Sequence, residues 1–220
     1  EWTTQQVNPN IFTLNKKVEA DSYVKLLKNA GFERLIVVSK HHDGFQMFEQ
    51  ERSTDVNNDD YGRDYVWDYG IPRTNYPGDV LEDLSTACSQ YDMNMGLYLS
   101  PWDAAAPHYG YYDANGRPTD PANDALDYNK FYDGHLNWIL GSAKYGKNGR
   151  FVEVWMDGAK GSGANAQDYD FDKWINTIQT RQGKKAGHDD DVLLFGAGKY
   201  TTVRWIGNEN GLAPEPCWSK

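Results

Sequence analysis

Two carboxylates and two imidazoles stand in this chain where a strand gives way to a loop. Asp157 closes the run Phe151 to Ala159 (FVEVWMDGA), His41 and His42 follow the run Arg34 to Ser39 (RLIVVS), and Glu209 follows the run Val203 to Ile206. Side chains of an extended strand alternate, so Phe151, Glu153, Trp155 and Asp157 share one face and Val152, Val154 and Met156 the other. The second face is purely apolar and suits packing against helices. The first ends in a carboxylate just before Gly158. At the carboxyl rim of a barrel strand such a group is placed for catalysis. An Asp-Gly pair after a strand is also an ordinary turn, because Asp bonds its own backbone and Gly tolerates positive φ. The carboxylate therefore needs partners to count. Glu209 is one: two carboxylates across a barrel mouth are what glycoside hydrolysis uses, one attacking the anomeric carbon and one moving a proton, about 5 to 5.5 Å apart when configuration is retained.

His41 and His42 allow two chemistries. Imidazole is the commonest metal ligand, yet zinc sites draw on a third ligand at recognisable spacing, and adjacent residues on a strand diverge unless the backbone bends there. Hydrogen bonding to substrate hydroxyls fits better, and no metal is expected.

Positioning these groups falls to helices and strands in alternation. From Asp21, read as an N-cap, Tyr23, Leu26, Leu27 and Ala30 follow helical spacing, and Gly31 stands where a helix of about ten residues stops. Arg34 to Ser39 is β-branched and fits a buried parallel strand. Ser53 to Pro77 is a long polar loop with interleaved tyrosines, of the kind that carries function. A second helix is predicted from Gly78 to Tyr91, with Val80, Leu81, Leu84, Ala87, Cys88 and Tyr91 inward. A second strand follows over Met95 to Ser100. The spacing predicts a third helix over Asp124 to Tyr145 and a fourth through Phe171, Trp174, Ile175 and Ile178. Val192 to Phe195 and Val203 to Ile206 read as further strands. Helix-then-strand order without hairpin signals argues for parallel strands joined by right-handed crossovers. Polar and aromatic residues gather after the strands, which favours a barrel with its site at one end.

Composition narrows the partners. The 220 residues suffice for one domain with a real core, and 39% hydrophobic content argues against disorder. A net charge of −10 offers no basic footprint, so nucleic acid is not an expected partner. Aromatic content of 14% suggests flat platforms of the sort that bind sugars, although aromatics also simply fill cores. No apolar run approaches the roughly 20 residues that span a bilayer. Cys88 and Cys217 lack metal-ligand spacing and form no disulfide framework.

Four motifs then carry a resemblance. SKHHDGF (Ser39 to Phe45), LYLSPW (Leu97 to Trp102), VWMDGA (Val154 to Ala159) and RWIGNENG (Arg204 to Gly211) resemble, in order, the motifs of the α-L-fucosidases of glycoside hydrolase family 29. Glu1 and Trp2, followed by Asn8, Pro9 and Phe12, resemble that family's Glu-Trp segment. The resemblance implies a retaining enzyme on a (β/α)8-like, TIM-type barrel, with Asp157 as nucleophile. Glu209 matches the acid/base position of the branch preferring α-1,3/1,4-fucosylated branched glycans, with Glu215 and Glu153 as competitors. It further implies that His41, His42, Glu1 and Trp2 hold fucose hydroxyls and that Tyr98 and Trp155 line the pocket, with Arg204 and Asn208 as additional contacts. The implied partner is a fucosylated oligosaccharide or glycoconjugate, no cofactor is needed, and a secreted, periplasmic or cell-surface setting suits glycan trimming. Measured against the family, residues 1–220 read as a single partial catalytic barrel, lacking the first strand and the C-terminal strands. Two other readings stand beside this one: a non-catalytic fucose-binding fragment, and a self-associating piece of a larger enzyme.

Overall fold

A computed structural model of the chain describes residues 8–13, 18–50, 69–119, 127–161, 166–183, 192–208 and 210–213. Four helices alternate with four strands: α1 (Val18–Asn29), β1 (Arg34–Lys40), α2 (Val80–Gln90), β2 (Asn94–Leu99), α3 (Tyr128–Gly141), β3 (Glu153–Trp155), α4 (Phe171–Gln182) and β4 (Leu193–Phe195). All pairings are parallel, in the order β1-β2-β3-β4. Each strand thus lies beside the next in sequence, the order that a barrel needs and that a doubly wound sheet breaks at its switch point. Among the described residues the sheet is open and parallel; it does not close into a barrel.

Local chemistry sets the helix starts. Asp79, Asp127 and Asp170 are N-caps whose carboxylates accept from the backbone N–H of Glu82, Asn129 and Lys173, each at 3.0 Å. Such caps satisfy N–H groups that the helix itself leaves without partners. Asp127 starts α3 later than the sequence suggests, and Gly141 ends it earlier. α1 departs further: it begins at Val18, so Asp21 lies in its first turn and is no cap. Its buried stripe is Ala20 and Val24 with Leu27 partly buried, while Tyr23 and Leu26 are exposed. The two faces carried similar apolar spacing, and packing on α2 selects the Val24 side.

The sheet has two unlike faces. Val37, Met95, Leu97, Val154 and Leu194 join Leu81, Leu136, Ile139 and Trp174 from the helices in one core. The opposite face, matched in register, presents Ile36, Gly96 and Glu153 in one row and Val38, Tyr98, Trp155 and Phe195 in the next. Glu153 is buried there, paired with Arg34 at 2.5 Å and accepting from the Trp155 indole N–H. It lies below the rim with both oxygens engaged. The fifth strand expected over Val203 to Ile206 is not formed. Val203 makes one parallel bridge to Phe195, and Trp205 and Ile206 are about half exposed, at 53% and 50%. Among the described residues no helix is long and apolar enough to cross a membrane.

The face assignment makes a stability prediction. Leu97→Ala, which empties a fully buried site among the helices, should cost about 2–5 kcal/mol in urea unfolding. Val38→Thr, on the open face, should cost less than about 0.5 kcal/mol. Equal losses would contradict the assignment.

Candidate active site at the carboxyl rim

The strand ends converge on one cavity of about 830 Å³, lined by Val38, His41, His42, Tyr98, Trp102, Asp157, Ala159, Phe195, Trp205, Gly207 and Asn208. That volume is ample for a small ligand.

Asp157 reaches the rim by a backbone device that alternation alone does not foresee. β3 ends at Trp155, Asp157 takes φ 64°, and the N–H of Gly158 donates to the Met156 carbonyl at 2.7 Å. A non-glycine residue held at positive φ costs about 1–3 kcal/mol, and such strain collects at functional sites. Gly196 makes the conformation possible: a Cβ there would stand 2.7 Å from the backbone of Asp157 and Gly158.

The Asp157 carboxylate has one donor and one imidazole beside it. The Tyr98 hydroxyl donates to its Oδ2, and His42 Nε2 stands 3.3 Å from the same oxygen. His42 is oriented from behind. Ser100 Oγ donates to the Trp102 carbonyl at 3.0 Å, so its lone pair is left to receive the His42 Nδ1–H at 2.6 Å. A neutral His42 therefore carries its proton on Nδ1 and turns the Nε2 lone pair toward the cavity. Burial pushes its pKa down to about 4, helped by neighbouring His41 and opposed by Asp157. Tyr98 is pushed up, first by burial and then by Asp157, so it remains a hydroxyl donor.

Both imidazoles face the same space. The sheet register slips between Val38 and Lys40, and the bend brings the rings of His41 and His42 to 4.3 Å between centroids. His41 stacks on Tyr98 at 5.4 Å and His42 lies 4.8 Å from Trp102. The other wall is apolar: Trp155 stacks on Phe195 at 4.0 Å, with Trp205 6.4 Å away. His41, His42 and Asp157 are also the three groups whose ligand atoms, all within 4.8 Å of one another, could take a cation. With Oδ2 of Asp157 accepting from Tyr98 and His42 held on Ser100, the set works as it stands as a hydrogen-bonding array.

Of the residues singled out in the sequence, the structure brings His41, His42, Tyr98, Asp157 and Asn208 to the cavity and stacks Trp155 beside it. Arg204 is exposed and is not among the lining residues. Glu1, Trp2, Glu209, Glu215 and Cys217 lie outside the described residues. Ser100, Trp102, Phe195 and Trp205 were not assigned roles in the sequence. The parity of Gly96, Tyr98 and Ser100 on β2 was the available signal for Ser100.

Comparison with known proteins adds the lineage. Residues 5–203 match the family model described as alpha-L-fucosidase. Alpha-L-fucosidase 1 of Arabidopsis thaliana is 36% identical over 222 aligned residues, covering 100% of this chain and 36% of that protein. A Ruminococcus gnavus GH29 fucosidase, solved in complex with fucose, is 51% identical with a TM-score of 0.79, covering 100% of this chain and 42% of that one. A putative alpha-L-fucosidase from Bacteroides ovatus is 32% identical with a TM-score of 0.69, covering 97% and 30%. The chain thus spans little more than a third of the length of the curated relatives it matches.

The low pKa of His42 fixes a sign. Its folded value lies below the ordinary 6.5, so the neutral form contributes stability that is fully present above about pH 6.5 and lost as pH falls through about 4. An NMR titration of the imidazoles should show His42 with a midpoint near 4. A midpoint at or above 6.5 would contradict the burial argument.

Proposed function

Since the chain belongs to the alpha-L-fucosidase family, we propose that its rim cavity is a fucose site and that it carries out retaining exo-hydrolysis of terminal α-L-fucose from fucosylated glycans. The observation that carries the reading is the convergence on one cavity of the Asp157 carboxylate, a Tyr98 donor and a neutral His42 acceptor. Sugar hydroxyls can donate to the His42 Nε2 lone pair and to the Asp157 oxygen that Tyr98 leaves open. The aromatic wall of Phe195 and Trp205, with Trp155 stacked on Phe195, suits the methyl group of a 6-deoxy sugar.

In this mechanism Asp157 attacks the anomeric carbon and Glu209 protonates the departing glycan oxygen. Glu209 then acts as base, drawing a proton from the water that opens the fucosyl-enzyme ester. Tyr98 donates to Oδ2 of Asp157, which leaves Oδ1 as the attacking oxygen. His41 and His42 orient ring hydroxyls. The segment RWIGNENG supports a preference for branched α-1,3/1,4-fucosylated glycans, and Asn208 within it lines the cavity. The assignment of Glu209 rests on that sequence match.

The test is fucose release from an aryl α-L-fucoside and from a branched Lewis-type oligosaccharide. Release from the branched glycan should fall by at least about 10³-fold in Asp157→Ala, the scale lost when a covalent nucleophile is removed. Fucose binding without release in the parent chain would favour a non-catalytic binding module, and an active Asp157→Ala would overturn the mechanism.

A further inference from the structure

Beneath the rim lies a charged pair that the mechanism above does not use. Lys40 Nζ stands 3.0 Å from Asp103 Oδ2, with both side chains at 0% exposure. The same ammonium donates to the Tyr128 hydroxyl at 2.9 Å and lies 5.5 Å from the ring centres of Tyr128 and Tyr132. Its pKa is lowered by burial, which Asp103 opposes. Taking two charges out of water is expensive, and an apolar pair of similar volume is often as stable. A pair kept at such depth invites a role beyond filling the core.

Its contacts indicate what that role is. Asp103 Oδ1 accepts the backbone N–H groups of Ala105 and Ala106 at 3.1 and 2.9 Å, which folds the segment after β2 around the carboxylate. Gly44, at φ 80°, presses on that same oxygen so closely that a Cβ would meet it at 2.2 Å. Gly44 closes the turn that contains both histidines, its N–H donating to the His41 carbonyl at 3.0 Å. Two further bonds stitch the segments: Ser100 N–H to the Lys40 carbonyl at 2.9 Å, and Ala104 N–H to the His42 carbonyl at 2.8 Å. Lys40 is also the residue at which the β1 register slips.

We propose that Lys40 and Asp103 are a positioning pair for the substrate-reading histidines: by clamping the 41–44 turn to the 100–106 segment, they hold two adjacent imidazoles toward one cavity and keep His42 on Ser100. The inference rests on the proposed function only in taking a fucosyl unit as what the histidines read. Neither residue touches the cavity. The pair acts through Gly44, the 104–106 backbone and the Lys40 carbonyl.

The experiment compares the parent chain with Lys40→Met, Asp103→Asn and the double variant. The readouts are the melting temperature, the side-chain 15N signals of His41 and His42 at neutral pH, and titration with free fucose. The double variant leaves no unpaired buried charge and should melt within about 5 °C of the parent. Its His42 signals should nevertheless move away from the Nδ1–H pattern, and its fucose Kd should rise about tenfold or more, the scale of a misplaced contact group. If the double variant does not fold, a further variant, Asp103→Glu, decides by the same two readouts, because it keeps a carboxylate beside Lys40 while displacing the acceptor of the Ala105 and Ala106 N–H groups. A folded variant with parental His42 signals and a fucose Kd within about twofold would reduce the pair to core filling and overturn the proposal. If the parent itself does not bind fucose, the proposed function fails, while the His42 signals still decide whether the pair positions the ring.

Discussion

The structure depends on parallel register. Because β1 to β4 lie side by side in chain order, Val38, Tyr98, Trp155 and Phe195 form one row across the sheet, and everything after that row emerges on the same side. The helices cover the opposite face, where the apolar core sits. The face opposite the helices is thereby released from core duty and can carry Glu153, Tyr98 and the half-buried Trp155. A one-residue slip would exchange the two faces and bury the wrong set. Gly96 and Gly196 mark two places where neighbouring strands and turns leave no room for a side chain: a Cβ at Gly96 would stand 2.9 Å from Ile36, and one at Gly196 would collide with the Asp157 backbone.

Among the described residues, the rim is a neutral environment around the Asp157 carboxylate. Burial holds Tyr98 protonated and His42 uncharged, so the cavity offers an imidazole acceptor and a carboxylate oxygen. Such a set suits a neutral, hydroxylated ligand, and an acidic chain of net charge −10 does not draw in an anionic one. The full charges are placed elsewhere: Lys40 and Asp103 beneath the floor, Arg34 and Glu153 on the face opposite the helices.

Much of this was legible in the residues. Apolar runs gave four of the strands, apolar stripes at helical spacing gave the helices, and Asp157 before Gly158 marked the rim; the caps Asp79, Asp127 and Asp170 were not singled out, and Asp21, which was, is no cap. What was not legible has physical causes. The inward face of α1 is chosen by packing between two similar stripes, and Val203 to Ile206 is apolar enough for a strand yet makes only one bridge. The convergence of His41 and His42 depends on a register slip that no local signal announces. The Lys40–Asp103 pair joins residues 63 positions apart, and neither carries a motif that names the other. The parallel alternation of helix and strand was readable from pattern, though the described sheet is open where a barrel was expected; the groups that aim the site were set by tertiary contacts.

The central claim is that Asp157 forms a covalent bond to the sugar. Incubating the chain with a 2-deoxy-2-fluoro-fucosyl fluoride, whose electron-poor ring slows hydrolysis of the intermediate, followed by peptide mass mapping, tests it directly. The account predicts a single fluorofucosyl adduct on the peptide containing Asp157. An adduct on another carboxylate, or fucoside turnover with no adduct on that peptide, would contradict it.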